Sequence, residues 1–186
     1  MSSKEAYNYL KFDGAFLVPG FSVYLFKISK QSGEKYYYVG MTGDSFYASA
    51  RSALHRLAGH IDKAKASTQN QFRKGLQKIF GKKKDEFPTD DELRSLTVEL
   101  HHWAIPGFKE WESGFKDFDP SDFKLNSKAY KDYNSYKNKQ GKVLELEQEI
   151  IYLLKDKFDG RCLNETNGTN HKSKHKLINE IMEIAK

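Results

Sequence analysis

Between Phe21 and Gly40 the chain alternates large apolar and polar residues as Phe21-Ser-Val-Tyr-Leu-Phe-Lys-Ile28, breaks at Ser32-Gly33-Glu34 and resumes as Lys35-Tyr-Tyr-Tyr-Val-Gly40. A period of two puts successive side chains on opposite faces of a strand, and a short polar break with glycine joins two such runs into a β-hairpin. An isolated hairpin is marginal in water, so the rest of the chain has to cover it. Beyond Thr42-Gly43-Asp44 the period changes: Ala50, Ala53, Leu54, Leu57 and Ile61 recur at helical spacing within 48–66. A second amphipathic helix over 68–80 gathers Phe72, Leu76 and Ile79, and 81–88 reads as a charged linker closed by proline. Leu96, Val98 and Leu100 then alternate with Thr97, Glu99 and His101, which predicts a third strand ending at Pro106-Gly107.

Residues 108–140 lack a clear period and mix Trp111, Phe115, Phe118, Phe123, Tyr130, Tyr133 and Tyr136 with lysines, the pattern of an insertion. A strong helix is expected over 142–158 and a basic amphipathic one over 174–185, with Leu177, Ile178, Ile181 and Met182 on its apolar side. The expected fold class is therefore α+β: a small three-stranded antiparallel sheet flanked by helices in the order β-β-α-α-β-α. The core would occupy 20–106 and 141–168 of one domain, with the aromatic and lysine-rich insertion at 107–140, a size that suits 186 residues.

Function classes narrow by composition. No apolar run nears the ~20 residues needed to span a bilayer, and Ala15-Phe16-Leu17-Val18 is too short for an export-signal core, so a location inside the cell is expected. The single Cys162 excludes an internal disulfide and a thiolate zinc cluster. The sequons at Asn164 and Asn167 are then incidental, and neither His101-His102 nor His171 with His175 brings a third ligand. A formal charge of +6 and a pI near 9.1 fit a polyanionic partner, because cations that neutralise phosphates gain affinity by releasing counterions; a merely solvated basic surface fits equally.

On a helical wheel of 143–158, Val143, Leu144, Leu146, Ile150, Ile151, Leu154 and Phe158 form one apolar face, and Glu147 falls in its middle while Glu145 and Glu149 point away as solvated acids. Burying a lone ionised carboxylate costs several kcal/mol, so a cation, a metal or a hydrogen-bond network is expected opposite it. Two Arg-x-x-x-His pairs on the first helix are candidates, Arg51 with His55 and Arg56 with His60, each sharing a helix face. His60 borders the Ala53, Leu54, Leu57 and Ile61 stripe and Arg56 lies just beyond it, which favours the second pair over the first; surface charges of an amphipathic helix remain the alternative.

These residues resemble the GIY-YIG endonuclease superfamily. Ser22-Val23-Tyr24 matches its first motif, Tyr38-Val39-Gly40 its second, Arg56-Leu-Ala-Gly-His60 its Arg-x-x-x-His helix, Glu147 its later glutamate and Asn164 an asparagine that often follows. Ser22 stands where the family has glycine, the gap from Gly40 to Arg56 is longer than in compact members, and the insertion is foreign to the minimal module. The resemblance implies phosphodiester hydrolysis in DNA, double-stranded as the first expectation, with Tyr24, Tyr38, Arg56, His60, Glu147 and Asn164 as site residues. Glu147 would hold one Mg²⁺ or Mn²⁺, and Arg56 would clamp the scissile phosphate. Tyr24 would act as general base if Arg56 and the metal lowered its pKa. Lys124, Lys128, Lys131, Lys137 and Lys139 would contact phosphates and Tyr130, Tyr133 and Tyr136 would stack on bases or sugars, or else these residues form a satellite cluster with a basic rim. Elaboration beyond the minimal module suits a stand-alone enzyme such as a restriction endonuclease, and cutting both strands favours a homodimer or sequential nicking. A non-catalytic nucleic-acid-binding module is the alternative, and a protein-interaction domain using the terminal helix is a third reading.

Overall fold

The computed structural model describes residues 11–43, 52–61, 71–83, 86–105 and 127–186. Strands β1 (Ser22–Lys30) and β2 (Lys35–Thr42) form the expected hairpin, with Tyr24 directly opposite Gly40 and Phe26 opposite Tyr38. The turn closes because Gly33 takes a positive φ of 88° and donates its N–H to Lys30 O at 2.9 Å. Strand β3 (Leu96–Ala104) pairs antiparallel with the other side of β1, so the sheet order is β2-β1-β3 and β1 is the central strand.

The period of two sorts the sheet into two cores. Phe21, Val23, Leu25, Tyr37, Val39 and Met41 face helices α4 (Lys128–Lys157) and α5 (Lys176–Ile184). Tyr24, Phe26, Ile28 and Tyr38 face Phe72, Leu76 and Ile79 of α2 (Gln71–Ile79). Helix α1 (Ala53–Ile61) lies within the expected 48–66, and Ser52 caps it, its Oγ accepting from His55 N at 3.3 Å. In β3, Leu96 and Leu100 pack on the second core, but Val98 of the same row stays 48% exposed. His101 and His102 diverge as strand neighbours must: His101 stacks on Trp103, and His102 lies 4.6 Å from the Phe16 ring.

Two elements differ from the sequence expectation. A short helix α3 (Asp90–Arg94) interrupts the approach to β3, started by a capping box in which Thr89 accepts from Glu92 N and Glu92 accepts from Thr89 N. More consequentially, α4 does not begin near 142: Ser127 caps it through Tyr130 N at 3.2 Å, and it runs unbroken for 30 residues, about 45 Å at ~1.5 Å per residue. Residues 128–140, expected within an irregular insertion, are its first turns; their period was masked because Tyr133 and Tyr136 occupy positions where aliphatic residues usually mark a core stripe. Tyr136 is buried against Phe21, ring centroids 5.1 Å apart, and Tyr133 packs against the same core. The rest of the expected insertion, 107–126, lies outside the described residues.

Candidate active site

Position Glu147 sits in the middle of the buried stripe of α4, as the wheel placed it, but the neighbouring acid does not behave as expected. Glu149 is only 4% exposed, and both of its carboxylate oxygens accept the backbone N–H of Ser173, at 2.8 and 3.0 Å. The wheel misjudged it because the polypeptide after α4 folds back over that side of the helix: Thr169 N donates to Gln148 O at 3.1 Å, and Gly168, at φ 71°, presses on the α4 backbone where a Cβ would strike Gln148 O. Leu144 departs the other way, at 47% exposed.

What brings Glu147 to the sheet is the outer edge of β2. Tyr37 N donates to Arg161 O at 2.9 Å and Tyr37 O accepts from Leu163 N at 2.8 Å, so residues 161–163 start a strand beside β2. One pair further on, the Asn164 side chain replaces the backbone: Oδ1 accepts from Val39 N at 2.9 Å, and Nδ2 donates to Val39 O at 2.8 Å. At the next outward position, the N–H of Met41 faces the Glu147 carboxylate and favours its charged form. Asn164 is thus a buried structural pin of the site, and the longer loop before it does not displace it. Replacing it with alanine strands a buried N–H and C=O, and we expect a loss of about 2–4 kcal/mol, read as a lower urea midpoint with unchanged m.

Around Glu147 the structure gathers residues from four elements. A cavity of ≈ 250 Å³ is lined by Tyr38, Arg56, His60, Glu147 and Asn164, with Gln71, Gln148, Ile151 and Thr166 completing its wall. Tyr24 lies one layer beneath that wall, its hydroxyl 2.6 Å from His60 Nε2 and against the Arg56 guanidinium. The rings of Tyr24, Phe26, Tyr38 and Phe72 box the His60 imidazole, with centroids 5.3–6.4 Å away. Arg56 and His60, the pair that periodicity favoured, both line the cavity; His55 is exposed, and Arg51 lies outside the described residues. Gln71, Gln148 and Thr166 were missed, since neutral polar residues carry no signal in sequence until a cavity gives them a common address.

The electrostatics of the site follow from burial. Desolvation pushes the Glu147 carboxyl up to about 7, opposed in part by Arg56 and the Met41 N–H. Tyr24 corrects an expectation: Arg56 does pull its pKa down, but burial outweighs that pull, and the net shift is upward. Tyr38 is shifted upward as well, first by burial and then by Tyr24 and Glu147. Arg56 keeps one unused donor, its buried Nε, which has no hydrogen-bond partner.

Among the described residues no group of three His, Cys, Asp or Glu side chains converges to hold a metal. Mg²⁺ or Mn²⁺ needs only one or two carboxylates beside water and phosphate oxygens, and Glu147, costly to ionise on its own, is the residue here that could serve as one.

The expected DNA-contacting side chains do not share this cavity. Tyr136 is in the core, which corrects its reading as a stacking surface, and the half-buried Tyr133 packs beside it. Lys137 Nζ donates to Gln140 Oε1 at 2.8 Å, Lys128 is exposed in the first turn of α4, and Tyr130, Lys131 and Lys139 line a separate groove. Lys124 lies outside the described residues. Among the described residues no helix is long and apolar enough to cross a membrane. Comparison with family models, with curated proteins and with solved structures gave no match to this chain.

Proposed function

We propose that the chain is a metal-dependent DNA endonuclease of the GIY-YIG kind, hydrolysing phosphodiester bonds in the cavity bordered by Arg56, His60 and Glu147. The observation that carries this reading is the convergence of a guanidinium, an imidazole, a phenol and a carboxylate from β2, α1 and α4 on one opening, with the Tyr24 phenol of β1 bonded to the imidazole from behind. Such a set meets the three needs of the reaction: a positioned water, neutralisation of charge on the phosphoryl oxygens, and proton management.

Arg56, which lines the cavity, receives the non-bridging oxygens of the scissile phosphate through its planar fork. Glu147 would hold Mg²⁺ or Mn²⁺, which, when bound, would neutralise phosphoryl charge and lower the pKa of water. As the water oxygen bonds to phosphorus and the bond to the leaving oxygen breaks, the water's proton passes to solvent in the open cavity. Tyr24, behind the wall, keeps its own proton and holds His60 through the 2.6 Å bond to Nε2, so no buried phenolate forms; this suits a phenol whose pKa burial raises. Solvent protonates the leaving oxygen, and the Tyr38 hydroxyl orients water and phosphate at the wall.

Supercoiled plasmid in Mg²⁺ should become nicked or linear. If the pure protein binds DNA, yet a panel of DNA substrates and divalent metals gives no more cutting than a Glu147→Ala control, the enzyme reading fails in favour of a nucleic-acid-binding module. Arg56→Lys keeps the charge but loses the planar fork, and we expect cutting to slow by about a hundredfold with a much smaller change in duplex affinity.

A further inference from the structure

Helix α4 carries a second concavity, of ≈ 540 Å³, lined among the described residues by Tyr130, Lys131, Asn134, Asn138, Lys139 and Lys142. It lies on the side of the helix opposite Glu147. With Glu147 as origin, Lys131, Asn138 and Lys142 fall about 140–180° around the axis, whereas Tyr136 and Val143 fall within about 40°. The burial of Tyr136 and Val143, at 5% and 3% exposed, fixes that orientation.

Among the described residues the lining is three lysines, two asparagines, Ser135 and a tyrosine, with no acid. From Lys131 to Lys142 the row extends about 16 Å, long enough to meet more than one phosphate of a duplex. Lysines neutralise phosphates, and asparagine and tyrosine side chains hydrogen-bond phosphate and sugar oxygens. A helix that lies on a lipid surface sets large apolar side chains opposite its lysines and buries them in the bilayer; here that opposite side is occupied by the protein core.

We propose that this groove anchors the phosphate backbone of duplex DNA at a site separate from the cavity, so that the chain holds DNA on a face other than the one where it would cut. The proposal rests on charge and shape along α4 and holds whether or not the cavity is catalytic.

Binding of a fluorescent duplex of about 30 base pairs, followed by anisotropy across ~50–200 mM salt, tests it in the non-cutting Glu147→Gln background. Adding Lys131→Gln and Lys142→Gln together should flatten the slope of log K against log salt by about 1.8, at ~0.9 per lost phosphate contact. Melting temperature should not change, because both lysines are exposed. An unchanged slope overturns the proposal, as does a chain that binds anionic phospholipid vesicles or polyglutamate but not the duplex. Failure of the nuclease reading looks different: the slope flattens although the parent chain cuts no plasmid.

Discussion

Glu147→Gln should cut DNA about a thousandfold more slowly than the parent chain while being the more stable protein above pH 7. The two effects have one cause. An acid whose pKa is higher folded than unfolded holds its proton more tightly in the folded state. Stability therefore falls as pH rises from its ordinary value of 4.5 through about 7, and then levels off. A shift of that size is worth about 3 kcal/mol. The apolar seam of Leu146, Ile150, Ile151 and Leu154 absorbs it, since each fully buried side chain contributes on the order of 2 kcal/mol. Glutamine mimics the protonated form, so thermal melts of the two proteins should nearly coincide at pH 5 and separate at pH 8, with the variant higher. Mg²⁺ should narrow the gap by selecting the ionised carboxylate of the parent chain, and cutting should rise with pH through about 7 for the same reason. A variant that melts below the parent at pH 8 would mean that pairing with Arg56 outweighs desolvation.

Gly40→Ala should disable the site without replacing any of its polar side chains. Tyr24 and Gly40 face each other across the β1–β2 ladder, and the Tyr24 ring lies over the glycine so closely that a Cβ there would collide with the hydroxyl oxygen and the ring carbon bearing it. Moving the ring breaks the 2.6 Å bond to His60 and separates the phenol from Arg56. Overpacking of this kind costs about 1–3 kcal/mol, and loss of the positioned pair should slow cutting about a hundredfold. A double-mutant cycle checks the cause: in a Tyr24→Ala background the stability cost of Gly40→Ala should vanish. If the cost persists there, the collision is not with Tyr24.

That glycine shows what sequence can and cannot say. The hairpin, the third strand, the two helices after the hairpin and the terminal helix were legible because one-sided burial writes its period directly into the chain. Glu147 was legible for the opposite reason, as a charge that breaks such a period. Gly40 could be aligned to a motif, but its necessity lies in a neighbour across the sheet, sixteen positions earlier in the chain. Glu149 was misassigned because its cover, the backbone of Ser173, comes from a loop with no period of its own. The first half of α4 stayed hidden because tyrosines and lysines there serve a core side and a groove side at once, and together they blur the apolar stripe.

Asn164 has a consequence beyond the cavity. Its amide copies the donor and acceptor of a peptide group, so it completes the pairing of Val39 yet offers no backbone for another strand to follow. The β2 side of the sheet is thereby sealed against growth, a guard against the edge-to-edge stacking through which small sheets aggregate. Among the described residues, that leaves the outer side of β3 as the edge of the sheet without a strand partner.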